Sequence, residues 1–367
     1  MTTEINIGLE GVLVGATAIS NVEGDIGRLS YRGQDIHALS QQSLAAVIAL
    51  VLADKQLTED EAKAFDAWLA AESELGAVEL RVLEQLGRGL HPMAVLQALA
   101  PITDTQARNP LPAFLPKELE KALVLAAKQS AIVRAWHNLC QFGSLVELPA
   151  GLGFAEKLLY AFNRAQPSAH AVRALETVQI LQMDHSFNAG TFAGRVVAST
   201  KASLAASIGG SLGALSGPLH GGADEAAVMM AREIGSADQA AAWVSTALAN
   251  KVKIMGMGHR EYRRLDPRAA ILKPMARQFC EGTQYQGLMD TLVAVEEACQ
   301  DEFGKKGKEI HANLEFYKGA VYLALGISEP YFTSLFACAR VFGWTAHFFE
   351  FNQDPRLIRP RALYIGK

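Results

Sequence analysis

The chain has 367 residues, half of them hydrophobic and a fifth charged, with a formal net charge of −4. That profile fits a globular protein of one large domain or two unequal ones, and it argues against a nucleic-acid binder because no dense basic patch with interleaved aromatics occurs. The opening MTTEINIGLEGV carries an early glutamate and no basic-then-apolar order, so no signal peptide is expected. The longest apolar run, Leu44–Ala53, is too short to cross a bilayer. Cys140, Cys280, Cys299 and Cys338 lie far apart without a CxxC pair and read as reduced, mostly packed thiols of a cytoplasmic protein.

In chain order, GVLVGATAISNVEGDIGRLSYRG (11–33) mixes β-branched residues with glycine turns and predicts a short β element or hairpin. Helix dominates after it. SLAAVIALVLADK, EDEAKAFDAWLAAESEL, the stretch Val78–Leu86 and HPMAVLQALA space apolar residues at three and four. Asn109-Pro110-Leu111-Pro112, Pro149-Ala150-Gly151 and Gln166-Pro167-Ser168 each end or start a helical segment. From Thr191 to Gly217 the chain is crowded with Ala, Ser and Gly. Intrinsic helix propensity is weak there, so close packing in a helical core or a helical subunit interface must hold it. No repeat and no run of strands alternating with helices is present, and the expected fold is all-α with a short N-terminal β element.

Among nine histidines, three stand out by their surroundings: His185 in QMDHSFNAG, His220 in GPLHGGAD and His259 in KIMGMGHREYRRLDPRA. Glu315, in HANLEFYKG, joins them. A lone histidine in a helical protein is more often packed or exposed than functional, and His37, His91, His137, His170, His311 and His347 keep that reading. His220 is different. Pro218 stops the preceding helix, Gly221 and Gly222 leave space, and Asp224-Glu225 suit a first helical turn. An imidazole at the positive end of a helix resists protonation and, kept neutral, can donate a hydrogen bond to an oxygen that becomes negative. Arg268, Arg340 and Arg359 each read alone as solvated or capping residues; converging, they would make a site for a small polycarboxylate.

These segments together resemble the citrate synthases, in the shorter, bacterial-type form. The resemblance runs from GLEGV and SYRGQDI through DHSFNAGTFAGRVVAST, GPLHGGAD and MGHREYRRLDPRA to NLEFYKG, FACARVFGWTAH and RPRALYIG. It implies a mostly helical enzyme working as a homodimer. A large domain would occupy 1–219 and an inserted small domain 220–325, with 326–367 returning to the large domain and sending a C-terminal arm to the partner subunit. It implies that His220 stabilises the enol of acetyl-CoA, that His259 polarises the oxaloacetate carbonyl, and that His185, Arg268 and Arg340 bind the oxaloacetate carboxylates. Arg359 falls where the family's arginine enters from the partner subunit, and Arg263 is the one candidate for contact with CoA. No metal, no tightly bound cofactor, no nucleic acid and no membrane enters this reading.

The reaction so implied is a carbon–carbon condensation followed by thioester hydrolysis. A methyl proton beside a thioester is a very weak acid, so a carboxylate base and stabilisation of the oxyanion must act together. Closure of the small domain would exclude water until the condensation is over. Glu315 stands where the family has an aspartate base, one methylene closer to the backbone. Lys318 stands where a small residue is expected, and DHSFNAG departs from the acidic-then-leucine form after the histidine. Three alternatives remain open: propionyl-CoA as the donor, giving 2-methylcitrate; a weakly active or inactive homologue kept for binding or assembly; and a metal-dependent hydrolase built on His185, His220, His259 and Glu315.

Overall fold

The computed structural model describes residues 5–9, 11–218 and 220–366. Glu10 of GLEGV, Leu219 of GPLHGGAD and the chain ends, on which the expected boundaries 1, 219 and 367 fall, lie outside the described residues. The structure is 60% helix and 3% strand, which makes the fold all-α as expected.

A three-stranded antiparallel sheet in the order β1-β2-β3 opens the fold, with β1 Ser20–Glu23, β2 Arg28–Tyr31 and β3 Gln34–Asp35. Ser20 faces Tyr31 and Val22 faces Leu29. The expected short β element is thus present, set toward the end of that stretch: residues 11–19 join no strand, and Leu13 is 96% exposed. Alternating β-branched residues do not make a strand without a facing strand to pair with.

The helices follow: α1 Ile36–Leu39, α2 Leu44–Ala53, α3 Glu59–Glu72, α4 Ala77–Gln85, α5 Pro92–Leu99, α6 Glu120–Phe142, α7 Phe154–Asn163 and α8 Ala169–Gln182. Next come α9 Ala189–Ala198, α10 Leu204–Leu215, α11 Ala223–Ile234, α12 Ala240–Ala249, α13 Pro267–Cys280, α14 Gln286–Gly304, α15 Leu314–Ala324 and α16 Phe332–Phe351. Their starts carry side-chain caps where the sequence has Ser, Thr, Asn or Asp: Ser43, Thr58, Ser168, Asn188, Ser203, Asp266 and Asn313 each accept a first-turn backbone N–H.

Two helices form the axis of the core. Every residue of α6 from 122 to 139 and of α16 from 332 to 347 is buried, and the two pack on each other. A helix apolar on all sides must be surrounded, and α2, α5, α8, α9 and α10 also pack on α16. A second group, α11 to α15, packs among itself and meets the first where α11 touches α16 and where α13 and α15 touch α8. No helix among the described residues is long and apolar enough to cross a membrane.

The small-residue stretch resolves into α9 and α10, which turn at Lys201 (φ +62°) and pack face to face. A Cβ at Gly194 would lie 2.4 Å from Ser211 Oγ, so the close approach depends on the missing side chain. Gly194→Ala should lower the unfolding free energy by about 1–3 kcal/mol, and Ser211→Ala in the same chain should recover part of the loss. Chemical denaturation of the single and double variants checks this, and equal stability of Gly194→Ala and wild type would refute the close-packing account.

Candidate active site

The site grows from two loops tied together by their backbones. Gly256 and Gly258 have φ of +77° and +80°, a region side chains disfavour. A Cβ at Gly256 would also sit 2.8 Å from the Phe316 ring. This turn lets Met257 pair with Ala312, Gly258 N donate to His311 O (2.8 Å) and Asn313 N donate to Gly256 O (2.9 Å). Asn313 completes the join: its Oδ1 accepts from Glu315 N at the start of α15, while its Nδ2 donates to Gly258 O (2.9 Å). His259 and Glu315, 56 positions apart in sequence, are thereby brought to adjoining loop ends.

Asp266 is the second organiser. Its Oδ1 caps α13 by accepting from Arg268 N and Nε, both at 3.0 Å. Its Oδ2 accepts from Arg268 Nη2 (2.8 Å) and from Leu314 N at the start of α15 (3.3 Å). Asp266 and Arg268 are 1% and 2% exposed, so this bidentate pair works without solvent screening. Burial opposes ionisation of Asp266, but the Arg268 guanidinium outweighs it and holds the carboxyl below its usual range.

Three aromatic side chains gather beside the pair. The rings of His185 and His259 are 5.3 Å apart, and Tyr262 lies 5.5 Å and 4.8 Å from them. His185 Nε2 shares a hydrogen bond with Tyr262 Oη at 3.2 Å. Burial, then the Arg268 guanidinium and the neighbouring imidazole, drive the His185 pKa far down, so the ring is neutral. His259 is lowered by burial and by Arg268 as well. Its Nδ1 accepts from Glu261 N (3.0 Å) and Tyr262 N (3.3 Å), which assigns the ring proton to Nε2. Arg268 Nη2 stands 3.4 Å from that Nε2. Two donors this close can share one acceptor placed beside both, such as a carbonyl or carboxylate oxygen.

On the other side of the site the Phe336 ring is shared. Lys318 Nζ lies 4.4 Å and the Arg340 guanidinium 4.7 Å from its centroid, and the His220 ring meets it edge-on at 6.3 Å. Arg340 is 1% exposed and donates Nε to Gln182 O (2.6 Å); its Nη groups make no hydrogen bond among the described residues. His220 Nε2 is buried without a hydrogen-bond partner among the described residues. Burial first, then Arg340, pushes its pKa down to about 4. α11 begins three residues later, at Ala223, and burial is the first cause of the shift. Half-buried Glu315 makes no side-chain hydrogen bond or ion pair among the described residues. Burial raises its pKa, yet Lys318 and Arg268 overcome this and hold it below the ordinary carboxylate value.

His185, His220, His259, Arg268, Glu315 and Arg340 therefore surround one region, each coupled electrostatically to others of the set. Arg263 is 84% exposed, paired with Asp25 at 3.3 Å, and lines a cleft with Arg264, Asn313 and His259. Arg359 is exposed on the irregular segment after α16 and makes no hydrogen bond or ion pair among the described residues. Among those residues no three His, Cys, Asp or Glu side chains are placed to hold a metal ion. Asp224 was read as an ordinary first-turn acid; it is fully buried and paired with Lys318 at 3.0 Å. Tyr262, Asp266, Asn313 and Phe336 escaped the sequence reading. Asp266 before Pro267 and Asn313 before Leu314 carried a cap signal; Tyr262 and Phe336 carried none.

The family profile described as "Citrate synthase, C-terminal domain" matches residues 8–361. The chain is 35% identical to the citrate synthase of Deinococcus radiodurans, with 98% of this chain and 95% of that protein covered. It superposes on the crystal structure of citrate synthase from Thermotoga maritima MSB8 with a TM-score of 0.88 at 33% identity, covering 99% of this chain and 96% of that one. The ternary complex of carboxymethyl coenzyme A and oxaloacetate with citrate synthase from Thermoplasma acidophilum matches with a TM-score of 0.88 at 30% identity, covering 99% and 97%.

A carboxyl whose folded pKa is depressed stabilises the fold above the ordinary pKa and loses that contribution as pH falls through the folded value. Asp266→Asn should therefore be less stable than wild type at pH 7 by about 3–5 kcal/mol, because Arg268 is left buried and unpaired. The gap should begin to narrow below the ordinary carboxylate pKa of about 4, where the unfolded chain takes up its proton first, and should keep narrowing until the folded carboxyl, held lower by Arg268, is protonated as well. Melting curves from pH 7 down to pH 2.5 read this difference, and a gap independent of pH would exclude Asp266 as the responsible group.

Proposed function

The chain belongs to the citrate synthase family and condenses acetyl-CoA with oxaloacetate to citrate, and we propose that His220, His259 and Glu315 carry that reaction. The observation that supports this assignment is the combination of charge states: two neutral imidazoles and an ionised carboxylate around two buried arginines. Glu315 removes a proton from the thioester methyl group while His220 donates a hydrogen bond to the enol oxygen. The carbon nucleophile then attacks the ketone of oxaloacetate, whose oxygen receives the His259 Nε2–H. Water hydrolyses the resulting citryl thioester. His185, Arg268 and Arg340 hold the oxaloacetate carboxylates, since buried guanidinium forks match carboxylate oxygens in a water-poor site.

The glutamate in place of aspartate moves the base outward by one methylene. Its carboxylate makes no hydrogen bond among the described residues, which supports a reading in which it swings to the thioester rather than being lost as a base. The matched relatives bear the name citrate synthase, which favours acetyl-CoA over propionyl-CoA and active enzyme over a retired homologue. The Thermoplasma relative was captured with oxaloacetate and a CoA analogue, which supports the same pair of substrates here. Arg263, with Arg264 at the same cleft, supplies positive charge for CoA phosphates.

We place the small domain at 220–325, a span whose helices α11 to α15 pack on one another. The working unit is a homodimer in the cytoplasm, with Arg359 reaching the partner's site. Leu357, Leu363 and Ile365 support this arm, because they are 65%, 56% and 90% exposed on the chain tail.

Thiol release from acetyl-CoA with oxaloacetate tests the assignment. Wild type should turn over acetyl-CoA faster than propionyl-CoA, and Glu315→Gln should lower kcat by about 10²–10⁴-fold, the usual worth of a general base. His220→Gln should lower kcat by about 10²–10³-fold. A Glu315→Gln enzyme as fast as wild type would remove Glu315 from the mechanism.

A further inference from the structure

Lys318 is 0% exposed, on α15, one helical turn after Glu315. Its Nζ forms an ion pair with Asp224 Oδ2 (3.0 Å), from α11, and donates to Gln182 Oε1 (2.9 Å), at the end of α8. The Gln182 amide is itself oriented, since its Nε2 donates to Tyr322 Oη (2.9 Å) and Val178 O (3.0 Å), leaving Oε1 for the ammonium. The third contact is the Phe336 face on α16, the same ring that Arg340 and His220 approach. Three helices from both packing groups thus converge on one buried ammonium.

Such a pair adds little to folding. Desolvating two charges costs about as much as their attraction returns, and an apolar pair of equal volume is often as stable or better. A full positive charge at this point is better explained by what it faces.

We propose that Lys318 is a positioning residue of the condensation site: an ammonium clamped between Asp224 and Gln182 that supplies the counter-charge for the Glu315 carboxylate without touching substrate. The inference rests on the reading of Glu315 as base. Glu315 makes no side-chain hydrogen bond or ion pair among the described residues, so nearby charge is what opposes the cost of burying its anion. Lys318 is the first of the charges that favour the anion, ahead of Arg268 and His259, while Asp266 and, from across the ion pair, Asp224 oppose it. The groups facing Lys318 are Glu315 on α15, Asp224 on α11, Arg340 on α16 and His220 in the turn before α11. Charge without contact leaves the carboxylate free to move, which suits a base with one methylene more than an aspartate.

The test compares wild type, Lys318→Met and the charge-balanced double variant Lys318→Met/Asp224→Asn, which leaves no lone buried charge. The readouts are the pH profile of kcat, the KM for oxaloacetate, a melting curve, and the ¹⁵N signal of the His220 imidazole. For the folded double variant we expect a plateau kcat at alkaline pH within about threefold of wild type and an unchanged KM for oxaloacetate. Its acid limb should be displaced upward, so that activity at pH 5 relative to the plateau falls on the order of tenfold. His220 should stay neutral across that displaced limb. An acid limb that superimposes on wild type overturns the proposal. So does a loss of kcat equal at every pH, which marks a structural role, or a His220 signal that titrates with the limb. If Lys318→Met alone fails to fold, the double variant decides. Absence of thiol release from wild-type enzyme would instead overturn the underlying reading, and so the two failures are distinguishable.

Discussion

The buried carboxylate of Asp266 is the constraint on which the site depends. One side chain caps α13, grips the Arg268 guanidinium at two nitrogens and receives the first backbone N–H of α15. A carboxylate has about four lone-pair directions, and here each is committed. The consequence is geometric. Arg268 cannot rotate away from His259, and the start of α15, which carries Glu315, cannot slide along α13. The join between the 256–258 turn and the segment ending at Asn313 then needs only two backbone hydrogen bonds and one side-chain amide to complete the alignment.

Electrostatic balance follows from that placement. Two arginines stand almost fully buried, and each depresses the neighbouring imidazoles. Lys318 first, and Arg268 after it, stabilise Glu315 as an anion against its burial. Neutral donors and an anionic base are what enolisation at a thioester requires, and burial near guanidinium groups produces both at once. The site is assembled from both packing groups: His185 and Arg340 come from the core around α16, His259, Arg268 and Glu315 from α11 to α15. Relative motion of the two groups would alter every distance between them.

Behind His185 a second network holds the loop that bears it. Asp184, fully buried, accepts from Ser20 Oγ (2.5 Å) and Ser186 N (3.1 Å) and pairs with His347 Nε2 (3.2 Å). His347 Nδ1 meets Arg195 Nη1 at 2.9 Å, and Arg195 also reaches Glu350. The first strand and the last helix are thereby linked through the residue next to His185. His347, read as merely packed or exposed, belongs to that support.

Legible in the order of residues were the helical class, the need for close packing in the small-residue stretch, the glycine-flanked histidines and the carboxylate of the NLEFYKG segment. Such features are local: periodicity, the missing Cβ and capping chemistry act over a few residues and leave a mark in the order of amino acids. Asp266 and Asn313 were partly legible, as caps, but their second role was not. Tyr262, Phe336 and the pairing of Asp224 with Lys318 belong to the tertiary structure alone. Their meaning depends on side chains from α8, α11, α15 and α16 meeting across as many as 158 positions, as Arg340 and Gln182 do. Burial decided the charge states as well. The dielectric around His220 and Glu315 is set by what packs over them, and no spacing rule in one dimension reports that.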